Sequence, residues 1–228
     1  MDNQACLLCQ QPLVHELTLR ELLGWDEVSG FEICARCQQE FQEIAPPHCP
    51  TCFKTGSSQK CWDCQYWTQH GYQAFQHIAL YQYNAAMHDY FKRYKRYGDY
   101  QLRFVFQAQL QRAIGQLPGP YLYIPSSAQH LQLRQFDPVV GLFQNIAALI
   151  PALIKLPTTQ AQAQKNRAER LATPQFLQFD RQYTALLAQP QLTILDDIYT
   201  TGRTLFHARD CLIAAGFQGK IYTFSLAR

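Results

Sequence analysis

The stretch TILDDIYTTGRT, residues 193–204, places two adjacent carboxylates, Asp196 and Asp197, at the end of an apolar, β-forming run. The chain then continues into a short segment of hydroxyl residues around a glycine. In parallel α/β sheets, ligands bind beyond the carboxyl ends of the strands. The stretch therefore predicts a buried parallel strand that delivers both aspartates to a ligand site.

The segment after the aspartates has the composition of an anion site. It consists of Thr200, Thr201, Gly202, Arg203 and Thr204. A following helix would add unpaired backbone N–H groups and the positive end of its dipole, and glycine lets the backbone approach a phosphate closely. Because carboxylates accept hydrogen bonds from sugar hydroxyls, a ribose phosphate satisfies both halves of the motif. The alternative, that Asp197 only caps a helix, leaves Asp196 and TTGRT unexplained.

The order of apolar and polar segments predicts an α/β fold. Strands are expected at 75–84, 120–125, 192–197 and 220–227, and helices at 85–117 with a hinge at Gly98, at about 129–150 and at 204–216. Alternating strands and helices predict a mostly parallel sheet flanked by helices. The polar segment 157–174 is bounded by prolines, which predicts an exposed loop or a short helix.

Composition indicates a folded protein without a strong overall electrostatic field. Apolar residues make up 47% of the 228, and the net charge is only +3, so contact with nucleic acid would need a local basic patch. The most apolar segment, 138–156, is interrupted by polar residues and Pro151, which predicts core rather than a membrane span. The N-terminal residues lack the features of a signal peptide. We expect a cytoplasmic protein that reaches the inner face of the membrane only through partners.

Eight of the nine cysteines form four C-x-x-C pairs within the first 64 residues. Each pair presents two thiolates on one side of a tight turn, as tetrahedral zinc requires. Consecutive pairing predicts two structural zinc sites, one from Cys6, Cys9, Cys34 and Cys37 and one from Cys49, Cys52, Cys61 and Cys64. A cross-braced pairing also fits the spacing, and free or redox-active cysteines are the alternative to metal. The ninth, Cys211, fits helix packing.

The run YFKRYKRY, residues 90–97, alternates aromatic rings with cations. The cations are Lys92, Arg93, Lys95 and Arg96. Phosphate contacts combined with stacking rings are what single-stranded nucleic acid binding needs. The run therefore predicts a surface for single-stranded DNA. Its alternative is an amphipathic helix whose rings face the core and whose cations are solvated.

These motifs together resemble a known family. TILDDIYTTGRT resembles the ribose-phosphate signature of type I phosphoribosyltransferases. With the four C-x-x-C pairs and YKRYGDYQLR, residues 94–103, the chain resembles the ComF (ComFC) family of competence-associated proteins over nearly its whole length. The resemblance implies a Cys-rich zinc-binding domain over 1–68 and a phosphoribosyltransferase-like α/β domain over 69–228.

The resemblance also implies roles for site residues. Asp196 and Asp197 would hold the ribose hydroxyls of phosphoribosyl pyrophosphate, and residues 200–204 would surround its 5′-phosphate. Ser126 and Ser127 would lie in the strand-end loop that meets the pyrophosphate. Magnesium would bind mainly through ligand oxygens and water, since few fixed carboxylates are available to it.

A loop over the ligand is implied by three further residues, Thr159, Gln162 and Arg170, which resemble a family segment that closes and excludes water. The chain departs from the family near the pyrophosphate. In RQFDPV, residues 134–139, Arg134 and Phe136 match the family pattern, whereas Gln135, Asp137 and Pro138 do not. These departures concern the pyrophosphate and acceptor side, so the motifs support ligand binding more firmly than turnover.

Two functions are most compatible with these residues, and a repressor similar to purine regulators is a weaker third because the sequence shows no helix-turn-helix. One is an active phosphoribosyltransferase, of the pentosyltransferase class, whose acceptor the sequence does not identify. The other is a non-catalytic module that binds nucleic acid and partners and uses the pocket for regulation or structure. The family resemblance implies natural transformation (DNA uptake), with a helicase-like competence ATPase, recombination-mediator proteins and single-stranded DNA as partners.

Overall fold

The described part of the chain contains seven strands, of which five form the central sheet. The computed structural model of the protein describes residues 5–13, 19–25, 32–73, 76–157 and 174–228. The strands are Gln76–Tyr81 (β1), Tyr121–Tyr123 (β2), Leu149–Ile150 (β3), Leu153–Lys155 (β4), Leu177–Phe179 (β5), Gln191–Ile198 (β6) and Lys220–Ala227 (β7). The central sheet has the order β1-β7-β6-β2-β3, and all its pairings are parallel. The predicted mostly parallel sheet is confirmed.

Strand β6 lies in the middle of this sheet, between β7 and β2. Its side chains Leu192, Ile194 and Leu195 are completely buried, as a strand covered on both faces requires. The strand ends with both aspartates at the carboxyl edge of the sheet. The central position of β6 therefore fixes where the acidic pair lies.

Eight α-helices surround the strands in the described ranges. They are Leu19–Leu22 (α1), Ala35–Gln39 (α2), Trp62–Gln69 (α3), Ala85–Arg96 (α4), Gln107–Ile114 (α5), Ala128–Arg134 (α6), Pro138–Phe143 (α7) and Arg203–Ala214 (α8), with 3-10 turns at Tyr100–Phe104 and Arg181–Ala188. Asn84 caps α4 by accepting a hydrogen bond from Met87 N at 3.0 Å. The predicted hinge is present, since α4 ends at Arg96 and Gly98 adopts a left-handed backbone. In this part of the chain, every helix is too short or too polar to cross a bilayer.

The single helix predicted over 129–150 is wrong. The segment forms α6, then α7, then the edge strand β3. The break occurs because Gln135 is left-handed, with φ of 61°, and because Asp137 starts a new helix by accepting hydrogen bonds from the amides of Val139 and Val140. Pro138 then occupies the first helical position, where its missing N–H costs nothing.

A two-stranded antiparallel sheet, β4 with β5, was not predicted from the sequence. These strands are only three residues long, and no alternating pattern sets them apart from their surroundings. They flank the segment 158–173, which lies outside the described residues together with Thr159, Gln162 and Arg170.

The Cys-rich segment shares its hydrophobic core with the α/β part of the chain. Ile33 and Phe41 pack in one buried cluster with side chains of α4, and Trp67 packs in a second with side chains of β6 and α8. Phe41 makes an edge-on contact with Phe106 at 5.0 Å between ring centroids. The segment is therefore packed onto the sheet and its helices.

Candidate functional site

The eight paired cysteines form two groups of four, with consecutive pairing. One group contains Cys6, Cys9, Cys34 and Cys37, the other Cys49, Cys52, Cys61 and Cys64, and within each group the sulfur atoms lie within 4.8 Å of one another. The sulfurs of Cys9 and Cys34 are 3.7 Å apart, and those of Cys52 and Cys61 are 3.5 Å apart. A tetrahedral zinc site with bonds of about 2.3 Å has sulfur–sulfur edges of about 3.8 Å. Both groups can hold zinc.

Backbone amides support thiolates in both groups. Cys34 N donates to Cys6 Sγ at 3.3 Å, and Cys61 N donates to Cys49 Sγ at 3.4 Å. Burial raises the pKa of the Cys6 thiol, but hydrogen bonds from backbone N–H groups outweigh it and lower that pKa to about 6. Zinc binds the thiolate, so the backbone amides around Cys6 favour the metal-binding form of that side chain.

The first cysteine group is tied to the α/β part through Arg93 of α4. The guanidinium donates to the carbonyl oxygens of Leu7 at 2.9 Å and Leu8 at 2.8 Å, which lie between Cys6 and Cys9. It also pairs with the Asp99 carboxylate at 2.8 Å. Arg93 thus braces the first cysteine turn and is engaged inside the fold.

The second cysteine group is tied to the loop that follows β6. Trp67, on the helix α3 that begins after Cys61, donates from Nε1 to Thr201 O at 2.7 Å. Arg228 donates to Thr200 O at 3.0 Å and to Cys52 Sγ at 3.3 Å. The carbonyl oxygens of Thr200 and Thr201 are therefore held by groups that belong to, or contact, the second cysteine group.

The loop itself, residues 200–204, is shaped by Gly202 and Tyr199. Gly202 has a left-handed backbone with φ of 82°, and a Cβ at this position would collide with Tyr199 Oη. Thr201 Oγ1 accepts a weak hydrogen bond from Arg203 N at 3.4 Å, where α8 begins. Only glycine fits this conformation, which turns the chain from the end of β6 directly into a helix N-terminus.

The acidic pair has two different environments. Burial raises the pKa of Asp196 to about 8, and repulsion from Asp197 acts in the same direction. Asp197 forms an ion pair with Lys95 Nζ of α4 at 2.6 Å, and both side chains are mostly buried. Its backbone N–H donates to Asp196 Oδ1 at 2.8 Å. Burial thus favours the neutral form of Asp196, whereas the neighbouring Asp197 side chain pairs with a lysine.

A cavity of about 470 Å³ opens above the pair and brings most of the predicted ligand residues together. It is lined by Asp196, Asp197, Thr200, Thr201, Arg203 and Thr204, and by Ser126 and Ser127 from the loop after β2. Gly202 shapes the loop beneath it. Arg170 lies outside the described residues. The volume fits a sugar phosphate.

The donors of the Ser126–Ser127 loop are partly used within the protein. Ser126 N donates to Asp137 Oδ2 at 2.6 Å, and Ser127 Oγ accepts from His130 N at 3.4 Å to cap α6. Asp137, one of the departures from the family pattern, thereby joins this loop to the start of α7.

The helix α4, which carries the basic run, buries most of the aromatic rings of the run and leaves its cations outside the core. Tyr90, Phe91 and Tyr94 are at most 3% exposed, so three of its four rings cannot stack on bases, and only Tyr97 is exposed. This corrects the expectation of a cation–ring surface. Lys92, Lys95 and Arg96 line the cavity, whereas Arg93 braces the first cysteine turn.

Several residues of the site were not predicted from the sequence. Lys155 at the end of β4 lines the cavity, and burial lowers its pKa despite the aspartates nearby. Its position at a strand end before the polar segment was a usable signal. Trp67 and Arg228 lie far along the chain from the loop that they hold, and no local pattern indicated their roles.

Fold and site together define a class: an α/β protein with a parallel sheet, a Cys-rich segment suited to zinc, and a pocket at the carboxyl edge that combines carboxylates with cations. No family model matches the chain. The chain is 35% identical over 226 residues to the competence protein ComFC of Streptococcus pneumoniae, covering 98% of this chain and 99% of that protein. It is 26% identical over 241 residues to the competence protein ComFC of Bacillus subtilis, covering 98% and 94%. The chain belongs to the ComFC family.

The buried Asp196 makes stability depend on pH. In the unfolded chain the Asp196 carboxyl ionises near pH 4, whereas burial raises its pKa in the folded protein to about 8. The folded protein therefore loses stability as the pH rises from about 4 to about 8. Asp196→Asn removes this cost, and the variant should be more stable than wild type by over about 1 kcal/mol at pH 8 but nearly equal to it at pH 4. Thermal and denaturant unfolding across this range measure the difference.

The exposed carboxyl Asp89 provides the control, since Asp89→Asn should leave stability within about 0.5 kcal/mol at every pH. A difference between wild type and Asp196→Asn that stayed constant from pH 4 to pH 8 would contradict the assignment of a raised pKa to Asp196.

Proposed function

We propose that the pocket binds a 5-phosphoribosyl ligand, phosphoribosyl pyrophosphate or a related ribose phosphate. The observation that carries the proposal is that the acidic pair and the loop 200–204 line one cavity of suitable size. Asp196 and Asp197 would bind the ribose hydroxyls, and the backbone N–H groups and threonine hydroxyls of the loop would bind the 5′-phosphate. Magnesium would accompany a pyrophosphate ligand through the ligand's own oxygens and water.

Cations around the cavity support a ligand with more than one phosphate. Lys95, Lys155, Arg134 and Arg203 line it in addition to the two aspartates. A single 5′-phosphate does not need so many positive charges. A pyrophosphate attached to the ribose at a second position would use the cations that lie near Ser126. The ligand class that best matches the cavity is therefore a ribose with phosphate groups at two positions.

A non-catalytic role remains the second candidate function, alongside transfer to an acceptor. It is favoured by the Ser126–Ser127 loop, because the amide of Ser126 already donates to Asp137 within the protein. A protein that binds the ligand without transferring it would need this donor less than an enzyme that must stabilise a leaving pyrophosphate.

Calorimetry with phosphoribosyl pyrophosphate and magnesium tests the binding proposal. Asp196→Asn/Asp197→Asn should weaken binding by at least about 1.5–3 kcal/mol, because the Asp197 carboxylate, paired with Lys95, would accept charge-assisted hydrogen bonds from the ribose hydroxyls. A matched variant, Asp89→Asn/Asp210→Asn, changes the same number of carboxyls outside the cavity and should bind like wild type. Equal affinity in all three proteins would show that the aspartates do not hold the ribose.

We also propose that the protein functions in competence, that each four-cysteine group holds a structural zinc ion, and that the protein binds single-stranded DNA. Its relative in S. pneumoniae carries the name of a competence protein.

The DNA contact would be electrostatic, through Lys92, Lys95 and Arg96, since most rings of the run are buried. A helicase-like ATPase and recombination mediators are the partners that the family resemblance implies, and a cytoplasmic location suits them.

Salt dependence tests the DNA proposal. Binding to a single strand should weaken with salt with a slope of about −0.7 per phosphate contact. Lys92→Ala/Arg96→Ala should reduce the slope by about 1.4 without loss of fold, as measured by fluorescence anisotropy of a labelled oligothymidylate. Arg93 is left intact because it braces the first cysteine turn.

The matched control is Arg112→Ala/Arg181→Ala, which removes two exposed cations that do not line the cavity. This control should keep the wild-type slope. If the two double variants had the same slope, α4 would be an ordinary solvated helix face.

A further inference from the structure

The surface proposed for DNA and the pocket proposed for ribose phosphate are one continuous site. Lys92, Lys95 and Arg96 are spaced so that they share one face of α4, and all three line the cavity that contains the acidic pair. Lys95 reaches to the floor, where its Nζ lies 2.6 Å from Asp197. The same positive charges are therefore within reach of both ligands.

The floor of the cavity discriminates between the two ligands. Asp196 and Asp197 accept hydrogen bonds from free sugar hydroxyls, which a small ribose phosphate has. A nucleotide inside a DNA strand has no 2′-hydroxyl, and its 3′-oxygen carries the next phosphate instead of a hydrogen. A strand can use the cationic rim formed by Lys92 and Arg96, but it offers the acidic pair no free sugar hydroxyl from which to accept a hydrogen bond.

We infer that the two ligands are antagonists: a ribose phosphate in the pocket weakens binding of single-stranded DNA, and the strand weakens binding of the ribose phosphate. This inference rests on the proposed function. Ligand phosphates would neutralise the rim cations and place negative charge beside the path of the strand. Because binding free energies are linked, each ligand must lower the affinity of the other by the same factor.

The expected size of the effect follows from the number of shared contacts. Losing two phosphate contacts, each with a slope of about −0.7, weakens binding about tenfold at 0.15 M salt. Pocket occupancy would then act as a switch, with the strand held while the pocket is empty and released when the ligand binds.

The experiment measures anisotropy of a labelled oligothymidylate on the full chain while phosphoribosyl pyrophosphate and magnesium are added at constant ionic strength. We expect about tenfold weaker DNA binding at saturating ligand, with a shallower salt slope. In Asp196→Asn/Asp197→Asn, which should not hold the ligand, the same addition should leave DNA affinity unchanged. This variant separates pocket occupancy from a general effect of added polyanion, and its zinc content and unfolding temperature verify its fold.

The outcomes are distinguishable. Wild type that binds both ligands, but whose DNA affinity changes less than twofold at saturating ligand, overturns the inference and leaves the proposed function intact. An equal loss of DNA affinity in wild type and in the double variant also overturns it, because the effect would not come through the pocket. If wild type fails to bind one of the two ligands when that ligand is added by itself, the proposed function is overturned, and the inference with it.

Discussion

The hydrogen bond from Trp67 Nε1 to Thr201 O, at 2.7 Å, is the contact on which the pocket depends. It fixes a carbonyl oxygen of the loop after β6 from the side of the second cysteine group, and Arg228 fixes the adjacent carbonyl of Thr200. These two hydrogen bonds fix the backbone of the loop where it lines the cavity. The Cys-rich segment is thus part of the pocket's support, which explains why it shares a core with the sheet.

The acidic pair shows how stability and ligand binding oppose each other in this pocket. Burying Asp196 beside Asp197 is unfavourable, and the protein offsets part of the cost through Lys95 and Lys155. A ligand that brings sugar hydroxyls to the carboxylates and phosphates to the lysines would satisfy all four side chains. Such strained groups are typical of binding sites, because the relief of the unfavourable contacts adds to ligand affinity.

Sequence patterns predicted the features that depend on local spacing. The strand β6 with its aspartates, the glycine loop and the two cysteine groups all follow from neighbouring residues, and the structure has them where expected. The sequence also contained the separation of rings and cations in the basic run. Lys92, Lys95 and Arg96 are spaced three and four residues apart, which places them on one face of a helix, and the buried rings occupy the other face. The roles of Trp67 and Arg228 depend on contacts between distant segments, which no local pattern contains. The short strands β4 and β5 were missed because tertiary packing, rather than propensity, determines them.

The claim that the Cys-rich segment holds the ligand loop is tested most directly by Trp67→Phe, which keeps one aromatic ring in the core and removes the Nε1 donor together with the second ring of the indole. Ribose 5-phosphate affinity, measured by calorimetry on protein with two zinc ions per chain, should fall about five- to tenfold, since a hydrogen bond contributes about 1 kcal/mol. Trp62→Phe, on the same helix but 56% exposed, is the control and should bind like wild type. Unchanged affinity in Trp67→Phe, with zinc content and fold intact, would contradict the account.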